Sequence, residues 1–341
     1  MANETSPAEV YVHFLQTHPV ETSILIAFLL VLTTIGVFGN ILIIGAVSVT
    51  KGLQTVANVF VVNLAICDII LAGWVNAFFA AGAFLGEKWF LDRKALCDIV
   101  SFFCLSACLC SLATVAAIAV NRYVCICRPS IYPKMYSKLN TAIMIIIMWV
   151  YSCWLNIGAL NGFGKFTYDK KMLGCIWDRN ANRLFTVFFL LGVFIPVGIV
   201  ATSYALIFVK VYTSKKKVAG ESKKGNDSNM TKEIKLAKVL FGLFVVFLLM
   251  NSPYGVALIF DPSDIFPTVI WTLVVQLMHA NGSGVNCFVY GFSNKAFNEG
   301  YKNFCWRILG LCGVKRPIKK RDPRESSTGT MATAATSVTH G

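Results

Sequence analysis

Apolar residues run without a single charge through 22–50, 99–121, 139–164, 184–209, 239–260 and 265–294, and between Lys51 and Glu87 the only charge is Asp68. Each stretch is longer than the roughly 20 residues that an α-helix rising ~1.5 Å per residue needs to cross ~30 Å of hydrocarbon. The pattern predicts seven spanning helices, over about 22–48, 57–82, 96–128, 141–161, 183–212, 233–260 and 267–291. Membrane β-barrels are excluded, because their strands are about 10 residues long and alternate in polarity. The expected fold class is an all-α membrane protein: a seven-transmembrane-helix bundle with a short amphipathic helix after the last span.

Composition agrees. The chain is 56% hydrophobic and 14% charged, against about 45–50% and 25% in soluble domains. A net charge of +14 would suggest nucleic acid in a soluble protein, but its distribution gives a topology instead. If residues 1–21 lie outside, 23 of the 31 Lys and Arg fall on the inner loops and tail. That is the positive-inside bias, which places the amino terminus outside and the carboxyl terminus in the cytoplasm of a multi-pass plasma-membrane protein. No nucleic-acid partner is expected. Residues 1–23 contain no Lys or Arg to form the basic region of a cleavable signal, so the first span is expected to direct insertion. Asn3-Glu4-Thr5 fits a glycosylation acceptor on the outer side.

The organisation expected is an extracellular segment 1–21, a seven-helix bundle 22–292, a juxtamembrane amphipathic helix 293–308 and a disordered cytoplasmic tail 309–341. Thr213 to Lys232, rich in Lys, Gly, Ser and Asn, is expected to be a flexible inner loop. Phe297, Tyr301, Phe304 and Ile308 recur at helical spacing opposite Lys295, Asn303 and Arg307, the pattern of a helix lying on the inner membrane surface, its apolar face in the lipid bilayer. Cys305 and Cys312 there are either lipidation sites or buried unmodified thiols. Ser326, Ser327 and Thr328 are candidate phosphorylation sites. Most of the twelve cysteines lie in spans, where a thiol behaves as a small apolar group. Cys97 and Cys175 differ: both fall on the outer, oxidising side, and a disulfide between them is expected.

An ionisable group inside a span is costly and marks function, which puts Asp68 first. Ser111 on the third span, with Ser283 and Asn286 on the seventh, is placed to join it in an oxygen-rich site of the kind a hard cation such as Na⁺ accepts; the alternative is a water-bridged polar knot. Twenty-five helical steps, about 37 Å, separate Cys97 from Arg122, so Arg122 of Asn121-Arg122-Tyr123 lies at the cytoplasmic rim. Glu233, at the start of the sixth span, offers it a carboxylate. The alternative is a simple positive-inside anchor.

The markers Gly39-Asn40, Asn63-Leu64-Ala65-x-x-Asp68, Cys97, Asn121-Arg122-Tyr123, Trp149, Pro196, Tyr204, Phe247, Pro253 and Asn286-Cys287-Phe288-Val289-Tyr290 appear in order, distributed over the seven expected helices. Over residues 20 to 308 the sequence resembles the rhodopsin-like G-protein-coupled receptors. That resemblance implies that Arg122 and Glu233 form an inactive latch, that Arg122 with Tyr204 and Tyr290 faces a heterotrimeric G protein on activation, and that Asp68, Ser111 and Asn286 hold allosteric Na⁺. It also makes arrestin and a receptor kinase candidate partners of the tail. Two positions depart from the pattern: Cys287 replaces a seventh-span proline, and Asn251 stands two residues before Pro253 where the family usually has Trp.

Within the family, Ile126-Cys127, Tyr132-x-Lys134-x-Tyr136-Ser137-x-x-Asn140, Asn58-x-Phe60-Val61-Val62 and Tyr168-Asp169 resemble melatonin receptors, which implies an inhibitory G protein and an extracellular small-molecule ligand. The ligand-facing positions differ, with Gly192 where those receptors have His and Arg179 where they have Gln. The chain also resembles opsins distantly, but the Schiff-base lysine position is Ala280, so covalent retinal is excluded and no covalent cofactor is expected. Aminergic receptors carry Asp at the position of Cys104. The candidate pocket, mostly apolar with a few polar groups, comprises Cys104, Cys108, Trp177, Arg179, Gly192, Asn251, Tyr254, Gln276 and His279, each a ligand contact or ordinary packing. With no acid among them, a neutral or lipid-like ligand is expected over an amine, and Arg179 leaves an acidic ligand as the alternative. The expected function is therefore that of a receptor and not an enzyme. The alternatives are a receptor-shaped scaffold or noncovalent retinoid-binding relative of opsins, and a channel or transporter, which would show inverted repeats or several intramembrane charges.

Overall fold

The computed structural model describes residues 14–178, 180–218, 227–260, 265–283 and 285–314, without the side chains of 214–218, 227–233, 281–283 and a few single positions. After a one-turn helix, Phe14–Thr17, the long elements are α1 (Pro19–Val49), α2 (Val56–Leu85), α3 (Lys94–Cys127), α4 (Lys138–Leu160), α5 (Arg183–Val218), α6 (Asp227–Phe260), α7 (Thr268–Ser283), α8 (Val285–Ser293) and α9 (Lys295–Leu311). Among the described residues, six helices are long and apolar enough to cross a membrane. α7 and α8 together cover the seventh expected span.

Local signals set several ends. Pro19 opens α1, where its fixed φ suits the first turn. Thr55 caps α2 by accepting from the Asn58 amide, Ser137 caps α4 by accepting from the Asn140 amide, and Asn294 caps α9 by accepting from the Ala296 amide. Two boundaries differ from expectation. Helix continues into both flanks of the supposed flexible loop, to Val218 on one side and from Asp227 on the other, because Lys, Glu and Met are strong helix formers even without an apolar face. α9 runs three residues past 308, to Leu311, so the tail begins later than the polarity change suggested.

The bundle is apolar outside and selectively polar within. On α4, Ile146, Ile147, Val150 and Trp154 point outward, each at least 60% exposed, while Asn40, Asn63, Asp68, Asn76, Thr114 and Asn156 are buried. A bilayer permits that inversion, since lipid accepts apolar side chains and polar ones must find partners inside. Asn63 is a hub: its Oδ1 accepts from Trp149 Nε1 of α4 at 2.9 Å and its Nδ2 donates to Thr114 Oγ1 of α3 at 2.8 Å. Replacing Asn63 with Ala removes both bonds, and we expect a loss of roughly 1–2 kcal/mol, read as a lower thermal midpoint in detergent; an unchanged midpoint would show that the hub is not structural.

Two apolar clusters stack along the bundle axis. One, around Phe60, Leu64, Ala119, Ile207, Leu240, Phe244 and Phe297, fills the Arg122 end. The other, around Leu25, Leu29, Phe79, Leu105, Phe166, Leu173 and Trp177, fills the Cys97 end. Asp68 on α2 and Asn251 on α6 fall between them in sequence. Beyond Asp68 the helix widens into a π turn, Ile70–Val75, a distortion that recurs at functional sites. At Gly39, any Cβ would collide with Cys287 Sγ, so this glycine is what lets α1 approach α8.

A two-stranded hairpin lies across the Cys97 end where the sequence suggested only a loop. β1 (Phe166–Asp169) pairs antiparallel with β2 (Gly174–Trp177), Tyr168 opposite Cys175. Asp169 Oδ1 closes the turn by accepting the amides of Lys171 (2.8 Å) and Met172 (2.9 Å), with Leu173 held at φ 57°. All four β2 residues are buried. Tyr168 Oη donates to the Gly82 carbonyl at 3.0 Å, and burial, with Glu87 and Asp169 nearby, pushes its hydroxyl pKa up. Lys171 Nζ donates to the Phe266 carbonyl at 2.7 Å, and Lys170 pairs with Glu87 at 3.2 Å. The expected disulfide is present: Cys97 of α3 is bonded to Cys175 of β2.

Candidate functional site

A cavity of about 180 Å³ occupies the layer between the two apolar clusters. Asp68, Asn76, Cys108, Asn251, His279 and Asn286 contribute to its wall, and it continues past Phe244 and Phe247 to Tyr204 and Tyr290. Pocket-level and rim-level residues therefore share one space.

Asp68 is 2% exposed. Its Oδ2 accepts from Asn286 Nδ2 of α8 at 2.7 Å, joining the second and seventh spans. Ser111 of α3 lines the same cavity. The side chain of Ser283 lies outside the described residues. Asp68 with one oxygen engaged, a serine hydroxyl and an amide form an oxygen-bearing set of the type hard cations take. Among the described residues no group of three or more His, Cys, Asp or Glu is arranged for a metal ion.

At the far end of α3, Arg122 is 7% exposed and its Nη2 donates to Asn121 Oδ1 at 2.9 Å. Asn121 Nδ2 in turn donates to Tyr132 Oη at 3.3 Å, so the arginine is tied to the short helix Tyr132–Met135. Tyr123 packs against the apolar cluster at this end. The side chain of Glu233 lies outside the described residues. A small cleft beside Arg122 is walled by Asn58, Leu236, Tyr290 and Asn294. Tyr204 and Tyr290 are buried, Tyr290 packing at a tilt against Phe297 of α9 with centroids 5.0 Å apart.

The sequence-chosen pocket residues divide. Cys104, Cys108, Asn251 and His279 line the cavity. Asn251 Nδ2 turns back to the Phe247 carbonyl at 2.8 Å. Four others are placed elsewhere. Trp177 is buried under the hairpin against Phe189 at 4.8 Å. A Cβ on Gly192 would meet Leu109 at 3.1 Å and Leu155 at 3.5 Å, so this position serves packing of α5 on α3 and α4. Tyr254 sits edge-on to Trp271 at 6.2 Å, and Gln276 is half-buried outside the cavity wall. Arg179, Asn3 and the phosphorylation candidates in the tail lie outside the described residues. Cys305 and Cys312 are exposed, so the reading of them as buried thiols is corrected: α9 turns Phe297 inward and leaves Cys305 outward, and Cys312 follows the helix end.

Sequence reasoning missed Asn76. It is 2% exposed and its Oδ1 lies 2.5 Å from His279 Nδ1, whose ring also packs on Phe79 at 4.7 Å. The available signal was a lone amide in an apolar span eight residues after Asp68. A straight helix would set it about 80° away from Asp68, and the wider π turn, taking fewer degrees per residue, brings it back toward that face. The candidate ligand positions hold no acid, as read from the sequence, but Asp68 shares the cavity with Cys104, Cys108, Asn251 and His279.

The family profile described as 7 transmembrane receptor (rhodopsin family) matches residues 39–290. The chain belongs to the rhodopsin family of seven-transmembrane receptors. The receptor is similar to melanopsin-B of Xenopus laevis, 28% identical over 314 residues, covering 88% of this chain and 57% of that protein's length. It is equally similar to melatonin receptor type 1B-B of Danio rerio, 27% identical over 320 residues, covering 90% and 87% of the two chains. A crystal structure of squid rhodopsin superposes with a TM-score of 0.73 at 27% identity, covering 93% of each chain. The receptor is thus a multi-pass membrane protein of a receptor family, not of an enzyme family.

Proposed function

We propose that this receptor converts binding of an extracellular small molecule into guanine-nucleotide exchange on a heterotrimeric G protein of the inhibitory class. The single observation that carries the reading is the cavity, which runs from Asn251 and His279 to Tyr204 and Tyr290 beside Arg122. A ligand at one end thereby bears on the same packed space as the coupling rim. Its binding energy shifts an existing equilibrium in which the Arg122 end of α6 swings away from α3. Pro253 inside α6 removes one backbone hydrogen bond and supplies the hinge. On the charge distribution, the Cys97 end is extracellular and the Arg122 end cytoplasmic. The inhibitory class rests on the likeness to melatonin receptors alone.

Asp68, Ser111 and Asn286 are the residues that would hold an allosteric Na⁺, which would stabilise the buried carboxylate. Asp68→Asn keeps the shape and removes the charge; we expect it to abolish the effect of Na⁺ on ligand binding and on thermal stability, and persistence of either effect would place the ion elsewhere. Cys305 on α9 and Cys312 just past its end, both exposed, support a reading as acylation sites in the inner leaflet, and the tail serines and threonine would serve a receptor kinase and arrestin.

The experiment is uptake of a GTP analogue by co-expressed inhibitory G protein in membranes carrying the receptor, with and without melatonin. Uptake above that of receptor-free membranes supports coupling, and a further rise with melatonin extends the likeness to the ligand. No uptake with any class of G protein, with the receptor at the surface, would favour the scaffold reading.

A further inference from the structure

Two of the free cysteines meet across helices, outside the wall of the central cavity. Asn63 of α2 donates through Nδ2 to Thr114 Oγ1 of α3 at 2.8 Å. Cys67 lies one turn after Asn63 and Cys110 one turn before Thr114, so on antiparallel neighbouring spans the two cysteines fall at one level. Their side chains are in thiol–thiol contact there, and each residue is 0% exposed. Buried thiols are ordinarily small apolar packing, but the setting of Cys110 is polar. Its sulfur accepts from Asn63 Nδ2 at 3.7 Å and from the Cys67 thiol. Two donors thus converge on one sulfur and would hold the negative charge it carries when it reacts as a thiolate. Cys67 stands beside it as a resolving thiol, and sulfurs already in contact need only close to about 2.05 Å to form a disulfide.

We propose that Cys67 and Cys110 form a peroxide-responsive thiol pair that closes into an interhelical disulfide, locking α2 to α3 inside the bilayer. Cys110 attacks one peroxide oxygen: the S–O bond forms, the O–O bond breaks, and the departing oxygen leaves as an alcohol or water with the Cys110 proton. Cys67 then attacks the sulfenic sulfur; the S–S bond forms, the S–O bond breaks, and hydroxide departs as water with the Cys67 proton. The two thiols lose two electrons and the peroxide gains them. The oxidant must be neutral, because a charge is costly inside a span. The same cost keeps charged glutathione from the bond once it has formed. Hydrogen peroxide from the aqueous phase and hydroperoxides of bilayer lipids share the reacting O–O bond.

The test uses the full chain reconstituted in saturated-lipid vesicles and exposed in parallel to hydrogen peroxide and to cumene hydroperoxide, with free thiols then alkylated in denaturant and the peptides weighed. We expect a disulfide-linked pair of peptides carrying Cys67 and Cys110, and a thermal midpoint roughly 4–10 °C higher than that of the untreated chain. Linkage by hydrogen peroxide assigns the oxidant to the aqueous phase and linkage by cumene hydroperoxide to the bilayer; either bears the proposal out. Cys67→Ala removes the resolving thiol, so dimedone, which traps sulfenic acids, should label Cys110, and the rise in midpoint should vanish. The intact bond between Cys97 and Cys175 reports that the variant is folded. The exposed Cys305 and Cys312 report that the oxidant is active. Their oxidation with Cys67 and Cys110 both left as thiols overturns the proposal, as does linkage of Cys110 to Cys104 or Cys108 in place of Cys67. A linked pair with an unchanged midpoint overturns the lock.

Discussion

Arg122→Ala is expected to reduce GTP-analogue uptake to the level of membranes lacking the receptor, with surface delivery and thermal stability nearly unchanged. The side chain is held by its neighbour, Nη2 on Asn121 Oδ1 at 2.9 Å, beside a cleft that ends at Tyr290 and Asn294. Such a contact positions a guanidinium at the rim without making it a pillar of the fold. When the end of α6 departs, the forked donors become available to carbonyl or carboxylate groups of the G protein, a geometry in which each hydrogen bond to a charged donor is worth about 1.5–3 kcal/mol. Arg122→Lys separates this role from that of a positive-inside anchor. Lysine keeps the charge and would restore full function to an anchor, but its single ammonium cannot make the two parallel bonds, so exchange should stay near the Ala level. Normal exchange in either variant would remove Arg122 from coupling.

The bundle was legible because the bilayer enforces one pattern so strongly. A charge in a span is expensive and an unpaired backbone polar group more so; the chain therefore writes each helix as a charge-free stretch, and the observed ends of α1 to α4 fall within three residues of expectation. Asp68 stood out for the same reason, and its contact with Asn286 across 218 residues was anticipated from that charge alone. What lies outside the bilayer was less legible. The strands 166–169 and 174–177 are too short for a two-residue period to register, and their order comes from long-range contacts such as Tyr168 with Gly82. Nor does sequence say which way a residue faces once a helix departs from ideal: Gly192 turns to α3 and α4, and Asn76 reaches His279 with a π turn between it and Asp68. The largest functional consequence came from such a case. A list of pocket positions without an acid suggested a neutral ligand, yet the folded chain sets Asp68 in the wall of the same cavity.

Cys97→Ala is expected to abolish delivery of the receptor to the cell surface. The bond from Cys97 to Cys175 closes a loop of 78 residues in sequence, and losing a disulfide that spans so long a loop costs on the order of 2–5 kcal/mol, comparable with the whole stability of a domain. The effect here extends beyond chain entropy, because β2 is buried along its entire length and Trp177, Ile176 and Leu173 belong to the apolar cluster that closes the Cys97 end. Without the tie, the hairpin is held by apolar burial and by noncovalent contacts such as Tyr168 on Gly82 and Lys171 on Phe266, each hydrogen bond worth about 1 kcal/mol. Transient opening then exposes Phe79, Phe166 and Trp177 together, an apolar patch on the luminal side of the folding compartment, and such patches are retained and cleared before export. Cys175→Ala should behave alike, and the double variant no worse than either single one, since the same bond is lost in all three. Surface labelling of an amino-terminal epitope measures each outcome; wild-type labelling of Cys97→Ala would show that the noncovalent contacts suffice to seat the hairpin.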